Sequence, residues 1–291
     1  MANSMNVKEN SMVFADLTQD ELDRAYDQDN WAANAAEVQA RIVARSRQVA
    51  GEMPPQTRRY GPAEQQCVDI FAPAGAHDAP VFILIHGGAW RLSMRQGFYS
   101  SAPSFTTEGC ILAVMGFGCL PAISMVEMAE QIRQGVLWVA SEIGAFGGDA
   151  RNLHIAGHSS GAHMAAVTLT SDLGAATPYV RSGTLISGLY DLEPVMLSSR
   201  RHYIDLTVAE AERLSPIRHL KDFTGVGSVW WGSHESPEFA RQSAVFADAL
   251  RDAGKLGKSA KLVGRNHFEM LEALDDPNGP LIEAMIAGAR R

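Results

Sequence analysis

Leu153-His154-Ile155-Ala156-Gly157-His158-Ser159-Ser160-Gly161-Ala162-His163 decides how this chain is read: a short apolar strand runs into a Gly-x-Ser-x-Gly turn and then a helix. Ser159 stands at the apex. In such a corner the residues two before and two after the serine must be small, because neighbouring backbone passes too close for a Cβ; Gly157 and Gly161 meet that need. The positive end of the following helix lies where an oxyanion would develop, which makes Ser159 the candidate nucleophile. A serine in an ordinary glycine-rich turn would need neither the apolar run Leu153–Ala156 nor the small and aliphatic residues from Ala162 to Thr170.

Upstream, Val81–Ile85 is an uninterrupted apolar run, the mark of a strand buried on both faces, and it ends in His86-Gly87-Gly88-Ala89-Trp90. Cys110–Met115 is a second such run, followed by Gly116-Phe117-Gly118 and a long helix expected over Ser124–Phe146. Downstream, Thr184–Ser187, Val229–Trp231 and Lys261–Val263 read as further strands. Strands alternating with helices predict an α/β class, with a mostly parallel sheet and helices on both faces.

The chain begins differently. Met1–Asn10 is polar and expected to be loose, and Leu17–Glu21 reads as a helix start, with Thr18 as N-cap and Glu21 closing a capping box. From Trp31 to Val49 a second helix is expected, with Val38, Ile42 and Val49 on one period, ending at Gly51 and Pro54-Pro55. Residues 1–55 thus form an N-terminal helical segment that either covers the site or packs on the core, the lid reading being preferred. Arg58–Tyr60 and Cys67–Phe71 predict an initial hairpin around Gly61-Pro62. Between Asp191 and Gly225, with Pro194, Arg200-Arg201 and Ser215-Pro216, the pattern loosens into a helical, cap-like excursion near the site. With no repeat and no linker rich in Gly, Ser or Pro, residues 1–291 read as one domain.

A serine hydroxyl needs a base within hydrogen-bond reach and a third group to hold that base in the right tautomer. For a nucleophile on this corner the chain order is Ser, acid, His. His267, in Gly264-Arg265-Asn266-His267-Phe268-Glu269, follows the last expected strand and is the candidate base. His158 and His163 flank the nucleophile, but turn and helix geometry aims them away from its hydroxyl. His202, His219 and His234 lie in polar stretches and read as solvated.

The acid should follow Val229–Trp231, in Gly232-Ser233-His234-Glu235-Ser236-Pro237-Glu238. Glu235 falls on the turn, whereas Glu238 follows a proline and belongs to the first turn of the next helix, so Glu235 is preferred. Asp191 follows a strand too, one strand too early, and reads as a cap of the next segment. An oxyanion hole would take one N–H from Ser160 and one from Gly88 or Ala89, with Trp90 walling an acyl or aryl pocket.

Composition narrows the partners. A chain of 291 residues, 46% of them hydrophobic, can bury one large α/β core. A net charge of -8 and no long basic run argue against nucleic acid. Cys67, Cys110 and Cys119 cannot all pair and lack Cys-x-x-Cys spacing, as expected of reduced thiols in the cytoplasm. No basic region precedes an apolar core in Met1–Asp16 and no apolar run reaches membrane-span length, so neither a signal peptide nor a membrane partner is expected. No His-Glu-x-x-His or comparable cluster appears, and no metal or cofactor is expected.

Gly157–Gly161, His86–Trp90, Gly232–Phe239 and Asn266–Phe268 together resemble the α/β-hydrolase superfamily, and within it the kynurenine formamidase (arylformamidase)-like branch, from roughly Trp31 to the C-terminus. Ser187-Gly188-Leu189-Tyr190-Asp191-Leu192 is similar to that branch as well. The resemblance implies an α/β-hydrolase fold with N-terminal helices and a small helical cap insertion. It also implies Ser159 as nucleophile, Glu235 as acid and His267 as base, with Trp90, His158 and Tyr190 at the substrate.

Two positions depart from the branch: the acid there is more often Asp, and Gly116–Leu120 stands where a tyrosine-bearing segment is expected. The activity implied is cleavage of an N-acyl arylamine, of N-formylkynurenine or N-acylanthranilate type, through an acyl-enzyme. A carboxylesterase for small or medium-chain esters would use the same residues. A non-catalytic binding protein on this scaffold is disfavoured, because each triad position holds a competent residue. The expected partner is a small aryl amide or ester; oligomeric state is not readable, a homodimer being the commonest closed assembly.

Overall fold

The computed structural model describes residues 11–290, so Met1–Asn10 lies outside the described residues. The apolar runs form the centre. In β3 (Ala79–Ile85) each residue from Val81 to Ile85 is at most 1% exposed; Val81, Ile83 and Ile85 enter one core and Phe82 and Leu84 the other. Neighbouring β4 (Ile111–Met115) divides likewise, Ile111, Ala113 and Met115 against Leu112 and Val114. Burying a large aliphatic side chain contributes about 1.5–3 kcal/mol, so a strand covered on both faces is apolar throughout rather than at alternate positions.

Around this pair stand β1 (Gln56–Arg59), β2 (Cys67–Phe71), β5 (Gly148–His158), β6 (Val180–Ile186), β7 (Val226–Gly232) and β8 (Leu256–Leu262). The sheet order is β1-β2-β4-β3-β5-β6-β7-β8. Pairings β1/β2 and β2/β4 are antiparallel and the rest parallel, so the sheet is mostly parallel, as the alternation of elements predicts. Its edges are polar: β1 is exposed throughout, and β8 carries Lys258 and Lys261, which discourages pairing with another sheet.

Boundaries shift where polar residues hide regular structure. β8 begins at Leu256, five residues before the expected Lys261, because an edge strand needs no apolar run. Tyr60 leaves the first strand, its hydroxyl donating to the Gly116 carbonyl at 2.6 Å. The second N-terminal helix spans Ala35–Glu52, and Trp31 instead closes a 3-10 turn, Gln28–Trp31. The long helix is Met125–Glu142, with Ser124 as its cap and Ile143–Phe146 as a 3-10 turn. The first helix, Gln19–Tyr26, has the expected capping box of Thr18 and Glu21.

Residues 191–225 hold the short helices Glu193–Leu197 and Val208–Arg213 and three 3-10 turns. They are tied to the first helix: Ser199 N–H donates to Asp23 at 2.5 Å, Gln19 to the Leu197 carbonyl at 3.0 Å, and Arg200 to the Tyr26 carbonyl. Every candidate site loop leaves a carboxyl end of β3, β5, β6, β7 or β8, where α/β sheets hold their ligands. Among the described residues no helix is long and apolar enough to cross a membrane.

Candidate active site

Ser159 joins β5 to the helix Ser160–Leu169 with φ 57° and ψ -125°, a left-handed conformation that a side chain disfavours. Packing holds it there. Its N–H donates to the Ile186 carbonyl at 2.9 Å, and its carbonyl accepts from Ala162 and His163 at 2.9 and 3.1 Å. The two glycines permit the corner: a Cβ on Gly161 would come within 2.1 Å of the Ile85 carbonyl oxygen, and one on Gly157 within 2.3 Å of the Gly161 oxygen.

His267 lies beyond β8, and its Nε2 is 3.0 Å from Ser159 Oγ. Its Nδ1 is 3.2 Å from Glu235 Oε2. The other carboxylate oxygen, Oε1, accepts from the Ser187 hydroxyl and the Gly232 N–H, each at 2.6 Å. All three side chains are buried. The rival acids are engaged elsewhere: Glu238 pairs with Arg241 at 2.6 and 2.8 Å and accepts from the Tyr26 hydroxyl at 3.0 Å. Asp191 pairs with Arg218 at 3.2 Å and accepts from the Glu193 N–H at 3.1 Å, the capping contact expected of it.

The loop after β3 is shaped by His86. Burial pushes its imidazole down to about 4, so the ring is neutral; stacked on Phe117, it donates from Nδ1 to the Gly87 carbonyl at 2.7 Å. In a trans peptide the N–H opposes the carbonyl, so this contact turns the Gly88 N–H away from His86. Gly88, Ala89 and Trp90 all have positive φ, 120°, 52° and 62°. Trp90 N–H donates to Ser160 Oγ at 3.2 Å, whereas the amides of Gly88 and Ala89 have no acceptor among the described residues.

Two residues expected at the substrate stand elsewhere. Tyr190 is fully buried, stacked on Phe246 at 4.0 Å, and offers a substrate no surface. His158 is buried beside His267, its ring 4.6 Å from that ring, and its Nε2 donates to the His267 carbonyl at 2.9 Å. It supports His267 rather than lining a pocket. Trp90 is 2% exposed, and its indole N–H donates to His163 Nδ1 at 3.1 Å. His163 passes the link on, donating from Nε2 to the Leu214 carbonyl at 2.7 Å; neither flanking histidine reaches the hydroxyl.

Other contributors went unread in the sequence. Ser187 (φ 54°) ends β6 much as Ser159 ends β5, and its hydroxyl holds Glu235. The N-terminal segment secures both downstream loops. Gln28 donates to Ser236 Oγ at 2.8 Å beside Glu235, and Asn34 accepts from Asn266 at 2.7 Å beside His267 while donating to Glu269 at 2.8 Å. No local pattern announces these contacts; each joins residues more than 200 positions apart.

The buried histidines predict an acid limit. His86, His154 and His163 are each pushed down to about 4, chiefly by burial, and His158 well below its usual range by burial and then by the charge of His267. Below about pH 6.5 the unfolded chain takes up protons that these rings refuse, so stability is full above that pH and declines as the pH falls toward 4. Asp275, pushed up to about 7 by burial, acts in the opposite sense, one group against four. The expected result is a Tm that drops steadily from about pH 6.5 to 4; a Tm flat across that interval would contradict it.

Residues 68–177 match the BD-FAE family model. The chain is 30% identical over 236 residues to a kynurenine formamidase of Danio rerio, a match covering 78% of this chain and 79% of the relative. It is 26% identical to an isoprenylcysteine alpha-carbonyl methylesterase of Arabidopsis thaliana, over 75% of this chain and 57% of the relative. Among solved structures it is similar to a protein from Silicibacter sp. TM1040 suggested to be a thioesterase, with TM-score 0.82, 26% identity, and 92% and 99% of the two chains covered. In fold alone it is similar to the carboxylesterase EstE1 from a metagenomic library, with TM-score 0.70, 17% identity, and 89% and 99% covered.

Proposed function

The chain belongs to the kynurenine formamidase-like branch of the α/β-hydrolases, and on that premise we propose that it is a serine hydrolase cleaving the amide bond of an N-acyl arylamine, of N-formylkynurenine or N-acylanthranilate type. The observation that carries this reading is the continuous line from Ser159 Oγ through both nitrogens of His267 to Glu235. His267 Nε2 takes the hydroxyl proton as Ser159 attacks the acyl carbonyl, and the imidazolium is held by Glu235. The oxyanion forms toward the amides of Gly88 or Ala89 and Ser160. Collapse breaks the C–N bond, His267 returns its proton to the leaving arylamine, and the acyl group remains on Ser159. Water, deprotonated by His267, then releases the acid.

We read residues 1–291 as one domain, with 1–55 and about 191–225 as its cover, a reading supported by the contacts of Gln28, Asn34 and Tyr26 with the acid and base loops. Its cysteines, all free thiols, favour a cytoplasmic setting. The second reading, a carboxylesterase for small or medium-chain esters, uses the same residues and is supported by the methylesterase relative. Assay of the purified protein with N-formyl- and N-octanoyl-2-aminobenzoate beside p-nitrophenyl esters separates the two. Release of 2-aminobenzoate is expected; turnover of esters alone would remove the amidase and leave the carboxylesterase.

A further inference from the structure

Arg200 is the one buried arginine or lysine among the described residues, 9% exposed. Its Nε and Nη2 both donate to a single acceptor, the Tyr26 carbonyl, at 3.1 and 2.6 Å. Nη1, on the edge turned away from that carbonyl, is buried without a partner. No carboxylate among the described residues pairs with it; Glu238, reached through Tyr26, is already engaged by Arg241. A buried cation left without a counter-charge is unfavourable, and a planar guanidinium with a vacant edge suits a carboxylate.

Its surroundings are aromatic and adjoin the ring of His267 through Phe239. The guanidinium carbon lies 5.6 Å from the ring of Trp90, 5.7 Å from Phe239 and 5.9 Å from Tyr26. Phe239 is itself 4.8 Å from the His267 ring, and Trp90 N–H holds Ser160 beside the nucleophile. A cation framed by aromatic rings, one ring away from the base, fits an aryl group bearing an anion.

We propose that Arg200 is the substrate-selecting residue, binding a carboxylate carried by the aryl leaving group, so that the enzyme prefers anionic aryl substrates to their neutral counterparts. This rests on the hydrolase reading above and narrows its substrate class. A charge-assisted hydrogen bond in a buried site is expected to give roughly a 10- to 100-fold preference in kcat/KM, most of it in KM.

The test compares N-formyl-2-aminobenzoate and N-formyl-4-aminobenzoate with their uncharged methyl esters, in wild type, Arg200→Gln and Arg200→Lys. The ratio of anionic to neutral kcat/KM cancels any general loss of active enzyme. A wild-type ratio of about 10 or more for either isomer, falling toward 1 in Arg200→Gln, supports the proposal. A wild-type ratio near 1 for both, or a ratio unchanged in Arg200→Gln, overturns it. If the glutamine variant does not fold, Arg200→Lys decides: it keeps the charge without the fork, so the ratio should fall at least about threefold, and an unchanged ratio overturns the proposal. If neither amide is cleaved, the amidase reading fails separately, and 2-acetoxybenzoate against its methyl ester puts the same question to Arg200.

Discussion

Replacing Ser159 by alanine is expected to lower kcat/KM by about 10⁴- to 10⁶-fold while leaving the fold intact. The size of the effect follows from what the hydroxyl alone does. Oγ sits 3.0 Å from His267 Nε2, and the hydroxyl of the adjoining Ser160 accepts instead from the Trp90 N–H. On the proposed mechanism no acyl-enzyme forms without Ser159 Oγ, and what survives is the modest acceleration by amides that polarise a carbonyl for attack by water. Stability should change little, because alanine keeps the Cβ and meets the same strain at φ 57°. Labelling by a serine-directed phosphonate, stoichiometric in wild type, should vanish in Ser159→Ala. A variant that keeps more than about 1% of the wild-type rate, or still takes the label, would move the nucleophile elsewhere.

The corner around Ser159 was legible because its rule is local: Gly157 and Gly161 are required by backbone within four residues or by the end of the adjoining strand. The central strands were legible for a related reason, since burial on both faces demands apolar residues without interruption. Contacts across the fold were not. Ser187 is an ordinary serine at a strand end until Glu235 arrives from 48 positions away. His158 and Tyr190 adjoin site residues in sequence, yet one turns to the His267 backbone and the other is sealed against Phe246. Arg200 sits in a polar, irregular stretch that suggests the surface; its burial depends on a carbonyl at the end of the first helix. Adjacency along the chain is thus a poor guide to which way a side chain faces.

Glu235→Gln is expected to lower kcat by about 10³- to 10⁴-fold, with KM nearly unchanged, and the reason lies in which oxygen is already bound. Oε1 accepts from the Ser187 hydroxyl and the Gly232 N–H, so in the variant the amide carbonyl must take that position. The amide nitrogen is then left facing His267 Nδ1, 3.2 Å away in the wild type. Nδ1 can answer only as an acceptor, which puts the imidazole proton on Nε2, where it points at Ser159 and can no longer receive its hydroxyl proton. Glu238→Gln and Asp191→Asn should each leave kcat within a few-fold of wild type, since their partners are Arg241 and Arg218 rather than the base. Steady-state rates for the three variants on one substrate, with far-UV spectra to verify folding, separate the candidates. A near-normal rate for Glu235→Gln beside a collapse in either of the others would reassign the acid. The same replacement also removes the charge that steadies the imidazolium, so raising the pH should restore little activity: the proton is misplaced rather than merely in excess.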